Sequence, residues 1–171
     1  MIQLINQSDY KVSSWSGGTT RELFIAPQKS NLSKRDFKIR ISSAIINSTH
    51  STFSNFNGFK RLILPLEGNI TLFRKNEHIK LSHSVPFYFD GSEIIESENS
   101  SGAIDFNVIY KYGEKVNIEI TDFKQINKNY QYFIFALENI KLNNINIKKF
   151  DSAYINNETF QIKGKTILIN L

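Results

Sequence analysis

Thr20 and Arg21, whose hydroxyl and guanidinium groups are suited to binding an anion, follow a glycine pair near the start of the sequence. Residues 15–23 read WSGGTTREL, with both glycines before Thr20, Arg21 and Glu22. Glycines let a ligand or a strand approach the backbone closely, and the guanidinium fork of arginine binds a carboxylate through two parallel hydrogen bonds. We interpret this stretch as part of a small-molecule pocket. The alternative is a glycine-rich bend followed by an ordinary surface ion pair.

A second polar pair lies in the segment IDFNVIY, residues 104–110. Asp105 and Asn107 are two positions apart, so on a strand both side chains point to the same face. On an apolar strand such groups must be exposed, hydrogen-bonded in the core or lining a cavity. We interpret them as ligand-binding residues. The alternative is that Asp105 is a structural partner for Arg21 or Arg61.

Aromatic residues are concentrated in a polar loop that precedes a predicted strand. The segment STFSNFNGFKR places Phe53, Phe56 and Phe59 directly before Arg61. Aromatic rings beside an arginine are typical of the walls of a binding pocket. The alternative is a hydrophobic plug over the end of a barrel, and the single tryptophan, Trp15, is open to the same two interpretations.

Few residues are available for metal binding or covalent catalysis. The chain has no cysteine, which excludes disulfides, thiolate ligands and cysteine nucleophiles. The three histidines, His50, His78 and His83, are not spaced to meet at one metal ion. No phosphate-binding loop and no G-x-S-x-G elbow occur. We therefore expect no metal and no cofactor, which leaves Glu22 and Asp105 as candidates for acid–base chemistry.

The composition is typical of a globular cytoplasmic protein. The chain has 171 residues, a formal net charge of +5 and 40% hydrophobic residues. The lysines are scattered and often alternate with isoleucine, as on solvated faces, so the charge does not indicate a nucleic-acid partner. No segment resembles a signal peptide or reaches the roughly 20 apolar residues of a membrane helix. We expect no membrane association.

The elements that must position these residues are short strands. The segment DFKIRISSAI alternates apolar with polar residues, which predicts a strand with one face on the core and the other towards water or a cavity. RLILPLEGNITLF predicts two strands around a turn at residues 67–69, with an edge or a bulge at Pro65. Similar runs and turns continue to the end of the chain, so an all-β sandwich or barrel is predicted.

A composition change near residues 121–130 divides the predicted strands into two sets. We predict one compact unit, residues 1–171, with a main barrel in residues 1–120 and a smaller second half in residues 121–171. The second set looks like a shorter, degraded copy of the strand–turn organisation in the first. Edge strands without obvious gatekeeper residues are consistent with a homodimer.

Taken together, the motifs resemble the HutD/Ves family of small bacterial proteins. WSGGTTREL, DFKIRISSA, TFSNFNGFKRLILPLEG, PFYFDG and DFNVI occur in the family's order and approximate spacing, and the resemblance is good over residues 10–112. It implies a cupin-like fold of two fused halves, an association with histidine utilisation or stress responses, and binding of an acidic metabolite of the formylglutamate type. The positions that match the family's motifs are Trp15, Thr20, Arg21, Glu22, Arg61, Phe89, Asp105 and Asn107.

The chain departs from the family pattern at two places. Many members contain W-x-N-G-G-G-x-T-R-E, whereas here the segment between Trp15 and Thr20 is two residues shorter and lacks the asparagine. Asn57 stands where proline is usual before the glycine. Both departures lie within the motifs that carry the resemblance, so the ligand of other members is not carried over to this chain.

We predict a non-catalytic, metal-independent protein that binds a small carboxylate-bearing metabolite of the amino-acid or N-formyl amino-acid type. We assign binding of the ligand's negative charge to Arg21 and Arg61. Hydrogen bonds to the ligand are assigned to Thr20, Asn107, Glu22 and Asp105. The walls of the pocket are assigned to Trp15, Phe56 and Phe89. One alternative is a metal-independent hydrolase or isomerase with Glu22 or Asp105 as acid or base. Another is a protein-interaction module in which the barrel is only a scaffold.

Overall fold

The computed structural model describes residues 1–127 and 130–171. These residues form β-strands and one short 3-10 helix, Gln7–Asp9, with no α-helix in the described ranges. The all-β prediction is therefore confirmed. The strands are β1 (Ile2–Ile5), β2 (Lys11–Trp15), β3 (Gly18–Ala26), β4 (Ile39–Ile46), β5 (His50–Thr52), β6 (Phe59–Glu67), β7 (Ile70–Arg74), β8 (Glu77–Lys80), β9 (Phe87–Asp90), β10 (Glu96–Asn99), β11 (Ala103–Lys111), β12 (Asn117–Ile126), β13 (Gln131–Ala136), β14 (Ile140–Leu142), β15 (Ile145–Ile147), β16 (Ser152–Asn156) and β17 (Phe160–Asn170).

The chain divides into two compact units. The larger unit is Lys11–Glu114, and the smaller unit combines Met1–Tyr10 with Lys115–Leu171. The division into halves 1–120 and 121–171, and their relation as a bicupin, stay predictions. Residues 128 and 129 of the expected boundary segment lie outside the described residues.

The larger unit contains two antiparallel sheets whose apolar faces pack against each other. One sheet has the strand order β2-β3-β4-β11-β6-β9 and the other β5-β10-β7-β8. Ile46 and Ile63 of the first sheet share a buried cluster with Ile70 and Leu72 of the second. Alternation along each strand produces this arrangement, because every second side chain faces the opposite sheet.

The connection between β6 and β7 forms as the sequence predicts. Gly68 has a φ of +74°, a left-handed conformation that glycine adopts without strain, and it joins the two strands. The irregularity expected at Pro65 is also present. The β6–β11 register shifts between Ile104 and Asp105, where Pro65 is the partner of Asp105. Proline has no backbone N–H to donate, so it suits this interruption of the hydrogen-bond ladder.

The smaller unit is a single seven-stranded antiparallel sheet. Six strands follow the order β1-β16-β13-β17-β14-β15, and β12 pairs with β17. Its buried cluster includes Ile134, Leu142, Ile155 and Ile162. The first strand of the chain therefore lies beside one of the last, because Ile2 pairs with Ile155.

The segment EIIES, residues 93–97, differs from its predicted strand. The strand begins only at Glu96, and Ile94 is 80% exposed while Ile95 is fully buried. The two isoleucines therefore belong to a loop, and the buried side chain of Ile95 anchors that loop in the core. In the part of the chain that the structure describes, no helix has the length and apolar character needed to cross a bilayer.

Candidate ligand-binding site

A cavity of about 330 Å³ lies inside the larger unit. Strands β2, β3, β4, β6 and β11 form one side, and β5 with the loop that follows it forms the other. Its polar lining includes Thr20, Arg40, Ser42, Arg61, Asp105 and Asn107. Its apolar lining includes Trp15, Leu32, Phe53, Phe56 and Ile109.

The register of the six-stranded sheet brings the polar lining to one face. Thr20 and Asp105 are both direct partners of Ala44, and Asn107 is the partner of Ser42. Directly opposed residues of an antiparallel pair lie on the same face of a sheet. The sequence prediction that Asp105 and Asn107 share a face therefore agrees with this register.

Arg61 is enclosed by aromatic rings. Its guanidinium carbon lies 5.1 Å, 5.4 Å and 5.0 Å from the ring centroids of Phe53, Phe56 and Phe89. Cation–π attraction of this kind holds a guanidinium in place while leaving its N–H edges available. Nη1 donates to the Ser54 carbonyl at 3.0 Å, but buried Nε has no hydrogen-bond partner within the described part of the chain.

A second arginine in the cavity is held by an ion pair. Arg40 Nε donates to Glu22 Oε2 at 2.7 Å, and its Nη1 lies 3.2 Å from Ser42 Oγ. The side chains of Arg40 and Glu22 are only 6% and 15% exposed. Such a pair is weakly screened by salt, and each partner holds the other side chain in position.

Asp105 is buried close to both arginines. Its Oδ1 accepts a hydrogen bond from the Ala44 N–H at 2.8 Å. Burial raises the pKa of Asp105 to about 6, although that hydrogen bond, Arg61 and Arg40 all favour the ionised form. Burial also lowers the pKa of Arg61 to about 10. Desolvation thus dominates at both groups, as expected of charges taken out of water.

Asn107 carries a buried acceptor without a donor. The residue is 7% exposed, and Oδ1 has no hydrogen-bond partner among the described residues. An unsatisfied buried polar atom costs free energy unless a ligand or a water molecule fills the vacant bond. Asn107 is among the residues that line the cavity.

The glycine pair of the opening motif shapes the cavity rim. A Cβ atom on Gly17 would lie 1.9 Å from the Trp15 ring, and one on Gly18 would lie 2.0 Å from the Ile45 carbonyl oxygen. Gly17 therefore leaves room for the indole, and Gly18 allows β3 to approach β4. Trp15 remains 41% exposed at the rim. The two glycines therefore shape the rim indirectly, by leaving room for the Trp15 indole and by allowing β3 to pair with β4.

The structure does not bring every predicted residue into the cavity. Arg21 is the register partner of Ser43, on the face of β3 opposite to Thr20, and it is not among the lining residues. Glu22 reaches the site only through its ion pair with Arg40. Phe89 contributes through its ring against Arg61 rather than as a lining residue.

The sequence analysis did not identify Arg40 or the main-chain oxygen of Ser54. A signal for Arg40 was present, because it alternates with Ile39 and Ile41 on a strand whose polar face was expected to meet water or a cavity. The sequence alone does not show which of these two environments applies. Phe53 was noted as a loop aromatic, and its ring contact with Arg61 depends on the fold of that loop.

None of the three histidines is among the residues that line the cavity. All three are exposed, and His83 Nε2 bonds the Gly68 carbonyl at 2.7 Å. Across residues 1–127 and 130–171, no group of three or more His, Asp or Glu side chains is placed to hold a metal ion. The groups that the cavity does present are the Arg40–Glu22 ion pair, the Arg61 guanidinium and a buried carboxyl group, that of Asp105, whose pKa is raised by burial.

Comparisons with known proteins establish the family. The HutD family model matches residues 7–169. HutD from Pseudomonas fluorescens SBW25, solved in a formate condition, is 22% identical, with a TM-score of 0.86 over 99% of this chain and 97% of that one. A bacterial pirin from Escherichia coli, solved with nickel(II), is 13% identical, with a TM-score of 0.70 over 100% and 99%.

A cupin 2 conserved barrel domain protein from Leptotrichia buccalis is 11% identical, with a TM-score of 0.62 over 99% of this chain and 95% of that one. No curated protein matches the sequence. The structural matches show the fold, and the family model covers nearly the whole chain. The chain therefore belongs to the HutD family and has a cupin-like fold.

Proposed function

We propose that the protein binds a small carboxylate-bearing metabolite, of the amino-acid or N-acylated amino-acid type, in the cavity of the larger unit. The observation that carries this proposal is the buried Nε of Arg61, which has no acceptor among the described residues. A buried guanidinium N–H without an acceptor is costly, and a carboxylate supplies the best-matched acceptor. We therefore assign binding of the ligand's negative charge to Arg61 alone, whereas the sequence prediction assigned it to Arg61 and Arg21 together.

The remaining lining suits the rest of such a ligand. Thr20 offers a hydroxyl group, and Asn107 offers its vacant amide oxygen to an N–H donor. Trp15 and Phe56 supply apolar walls. The volume of about 330 Å³ is at the small end of ligand sites, which favours a metabolite over a large cofactor. The protein would serve as a sensor or carrier in amino-acid utilisation in the cytoplasm.

A second candidate function is favoured by one observation. The pKa of Asp105 is raised to about 6, close to the range in which a carboxyl group exchanges protons efficiently near neutral pH. A hydrolase or isomerase would use Asp105 as its acid or base. Glu22 is less suited to that role because Arg40 engages its carboxylate.

A thermal-shift screen tests the binding proposal. The panel contains free amino acids, N-acylated amino acids and other small carboxylates. A ligand at 100 times its Kd stabilises the native state by about 2.7 kcal/mol, which raises the melting temperature. We expect at least one acid to do so. Arg61→Gln should weaken that acid's affinity roughly tenfold to a hundredfold because a charge-assisted hydrogen bond is lost.

The matched control is Arg74→Gln. Arg74 is in the same unit and also lies near an aromatic ring, 5.6 Å from that of Phe87, but it is outside the cavity. Its substitution should leave the ligand-induced shift unchanged. An equal response of both variants would contradict the assignment to Arg61. NMR analysis of the same acids after incubation detects turnover, and products that disappear in Asp105→Asn would favour the enzyme.

A further inference from the structure

Four charged side chains act at the polar lining of the cavity, and a fifth, Arg35, has its guanidinium carbon 4.9 Å from the ring centroid of the lining residue Phe56. Arg40 and Arg61 contribute two positive charges, and Glu22 and Asp105 contribute two negative charges when both are ionised. Of these, Arg40 already has a close carboxylate partner in Glu22. Arg61 has no such close partner among the described residues, and the charges that act on it are those of Asp105 and Arg40. A carboxylate bound at Arg61 therefore adds a second negative charge to that of Asp105.

The charged groups that act on Asp105 come from three other strands of the same sheet. Arg40 lies on β4, Arg61 on β6, and Glu22 on β3 acts through Arg40. Strand β2, strand β5 and the following loop line the cavity with serine, threonine and aromatic side chains, and none of those lining residues titrates near neutral pH. Since Asp105 is only 6% exposed, water screens its repulsion from a second carboxylate weakly.

We infer that the cavity takes up its carboxylate ligand together with one proton, which Asp105 receives. This inference rests on the proposed function and specifies the chemistry of the same site. An anionic acid bound at Arg61 competes with Asp105 for the same positive charge. Protonation removes the repulsion and converts Asp105 from an acceptor into an O–H donor, while Oδ1 can keep its hydrogen bond from the Ala44 N–H.

The inference predicts a specific pH dependence. Unliganded Asp105 has a pKa of about 6, so it is mostly ionised at pH 7.5. A neighbouring anion raises that pKa further, so binding must draw in a proton. Affinity should increase as the pH falls from 8 towards 6, by up to about tenfold per pH unit, and level off below the pKa of the unliganded group.

Isothermal titration calorimetry with N-acetylglycine as the probe counts the protons. Titrations at pH 7.5 in PIPES and in imidazole, which differ in ionisation enthalpy, should give an uptake of about 0.5 to 1 proton per bound ligand. Asp105→Asn keeps an oxygen for the Ala44 N–H and cannot ionise, so its uptake should be near zero and its Kd should not vary with pH. Glu98→Gln, which changes an exposed carboxylate of the same unit, should match the wild type.

The outcomes separate the inference from the proposed function. If N-acetylglycine binds the wild type without proton uptake and with one Kd at pH 6 and pH 8, the inference is wrong and the binding function stands. If N-acetylglycine and every acid of the panel fail to bind, both are wrong. If Asp105→Asn does not fold, the proton count and the pH profile of the wild type still decide.

Discussion

Glu22 and Arg40 depend on each other because both charges are largely withdrawn from water. Replacing Glu22 with leucine leaves the Arg40 guanidinium buried, with Ser42 as its remaining hydrogen-bond partner in the described residues. We expect Glu22→Leu to lower the free energy of unfolding by about 3 kcal/mol, because removal of one partner strands the other charge. Urea unfolding followed by Trp15 fluorescence measures this loss within the larger unit.

A double substitution tests whether the loss arises from the pair. Glu22→Leu combined with Arg40→Met replaces both charges by apolar groups, and such replacements are often neutral. The double variant should therefore be more stable than Glu22→Leu alone. Additive losses would show that the two residues are not coupled. Glu98→Leu, at an exposed position of β10, is the matched single control.

At the scale of single residues, the sequence predicted which side chains share a strand face more reliably than which side chains line the cavity. Strand alternation placed Asp105 and Asn107 on one face, and the register agrees. The same alternation separates Arg21 from Thr20, so the two could not both line one cavity from a regular strand. The sequence could not show which face of the strand meets the cavity, since that depends on how the two sheets of the larger unit pack against each other.

Among the strands, the β2–β3 connection offers a test in which two adjacent glycines have different roles. A Cβ on Gly18 would collide with the backbone oxygen of Ile45, which cannot move without disturbing the β3–β4 pairing. A Cβ on Gly17 would meet only the Trp15 side chain, which can rotate. We expect Gly18→Ala to destabilise the larger unit by about 1–3 kcal/mol and Gly17→Ala to cost much less.

The tryptophan reports on both variants. Gly17→Ala should shift the emission of Trp15 because the indole must leave its position over residue 17, while urea unfolding stays close to that of the wild type. Gly18→Ala should lower the unfolding midpoint. The reverse ranking of the two stabilities would contradict the assigned roles of the glycines.

Most strands could be predicted because local alternation and turn residues define them. The β6–β7 connection at Gly68 and the irregularity at Pro65 both follow from backbone chemistry that acts within a few residues. The strand at EIIES was misplaced because an apolar run does not reveal that Ile94 lies in solvent. The pairing of β1 with β16 was not predicted, since partners separated by most of the chain leave no local pattern.

For the molecule as a whole, Asp105 links stability to pH. Its pKa is about 6 in the folded protein against an ordinary value of 3.8. A group with a raised folded-state pKa stabilises the fold fully below its unfolded pKa, and this contribution is lost as the pH rises through 6. Asp105→Asn cannot ionise, so its stability relative to the wild type should be higher at pH 7.5 than at pH 4, by about 2–3 kcal/mol.

Asp90→Asn provides a control of opposite sign. Hydrogen bonds from Ser92 and Tyr112 lower the pKa of Asp90, so its contribution is present at neutral pH and is lost in acid. That variant should therefore be less stable than the wild type at both pH 7.5 and pH 4, and the difference should disappear only as the pH falls below 3.8, the ordinary pKa of the group. If the stability of Asp105→Asn relative to the wild type is the same at pH 7.5 and pH 4, as it should be for Asp90→Asn, the buried carboxyl is not the group described above. Urea unfolding at the two pH values makes both comparisons.

The pairing of β1 with β16 sets an order of events during synthesis. Residues 1–10 leave the ribosome before their partners, residues 152–156, which are synthesised more than a hundred residues later. All of Lys11–Glu114 is synthesised in between, as an uninterrupted insertion within the smaller unit. The larger unit can therefore begin to fold co-translationally while β1 is still unpaired. A nascent chain that ends at residue 151 would already contain all of Lys11–Glu114 and would still lack the strand that pairs with β1.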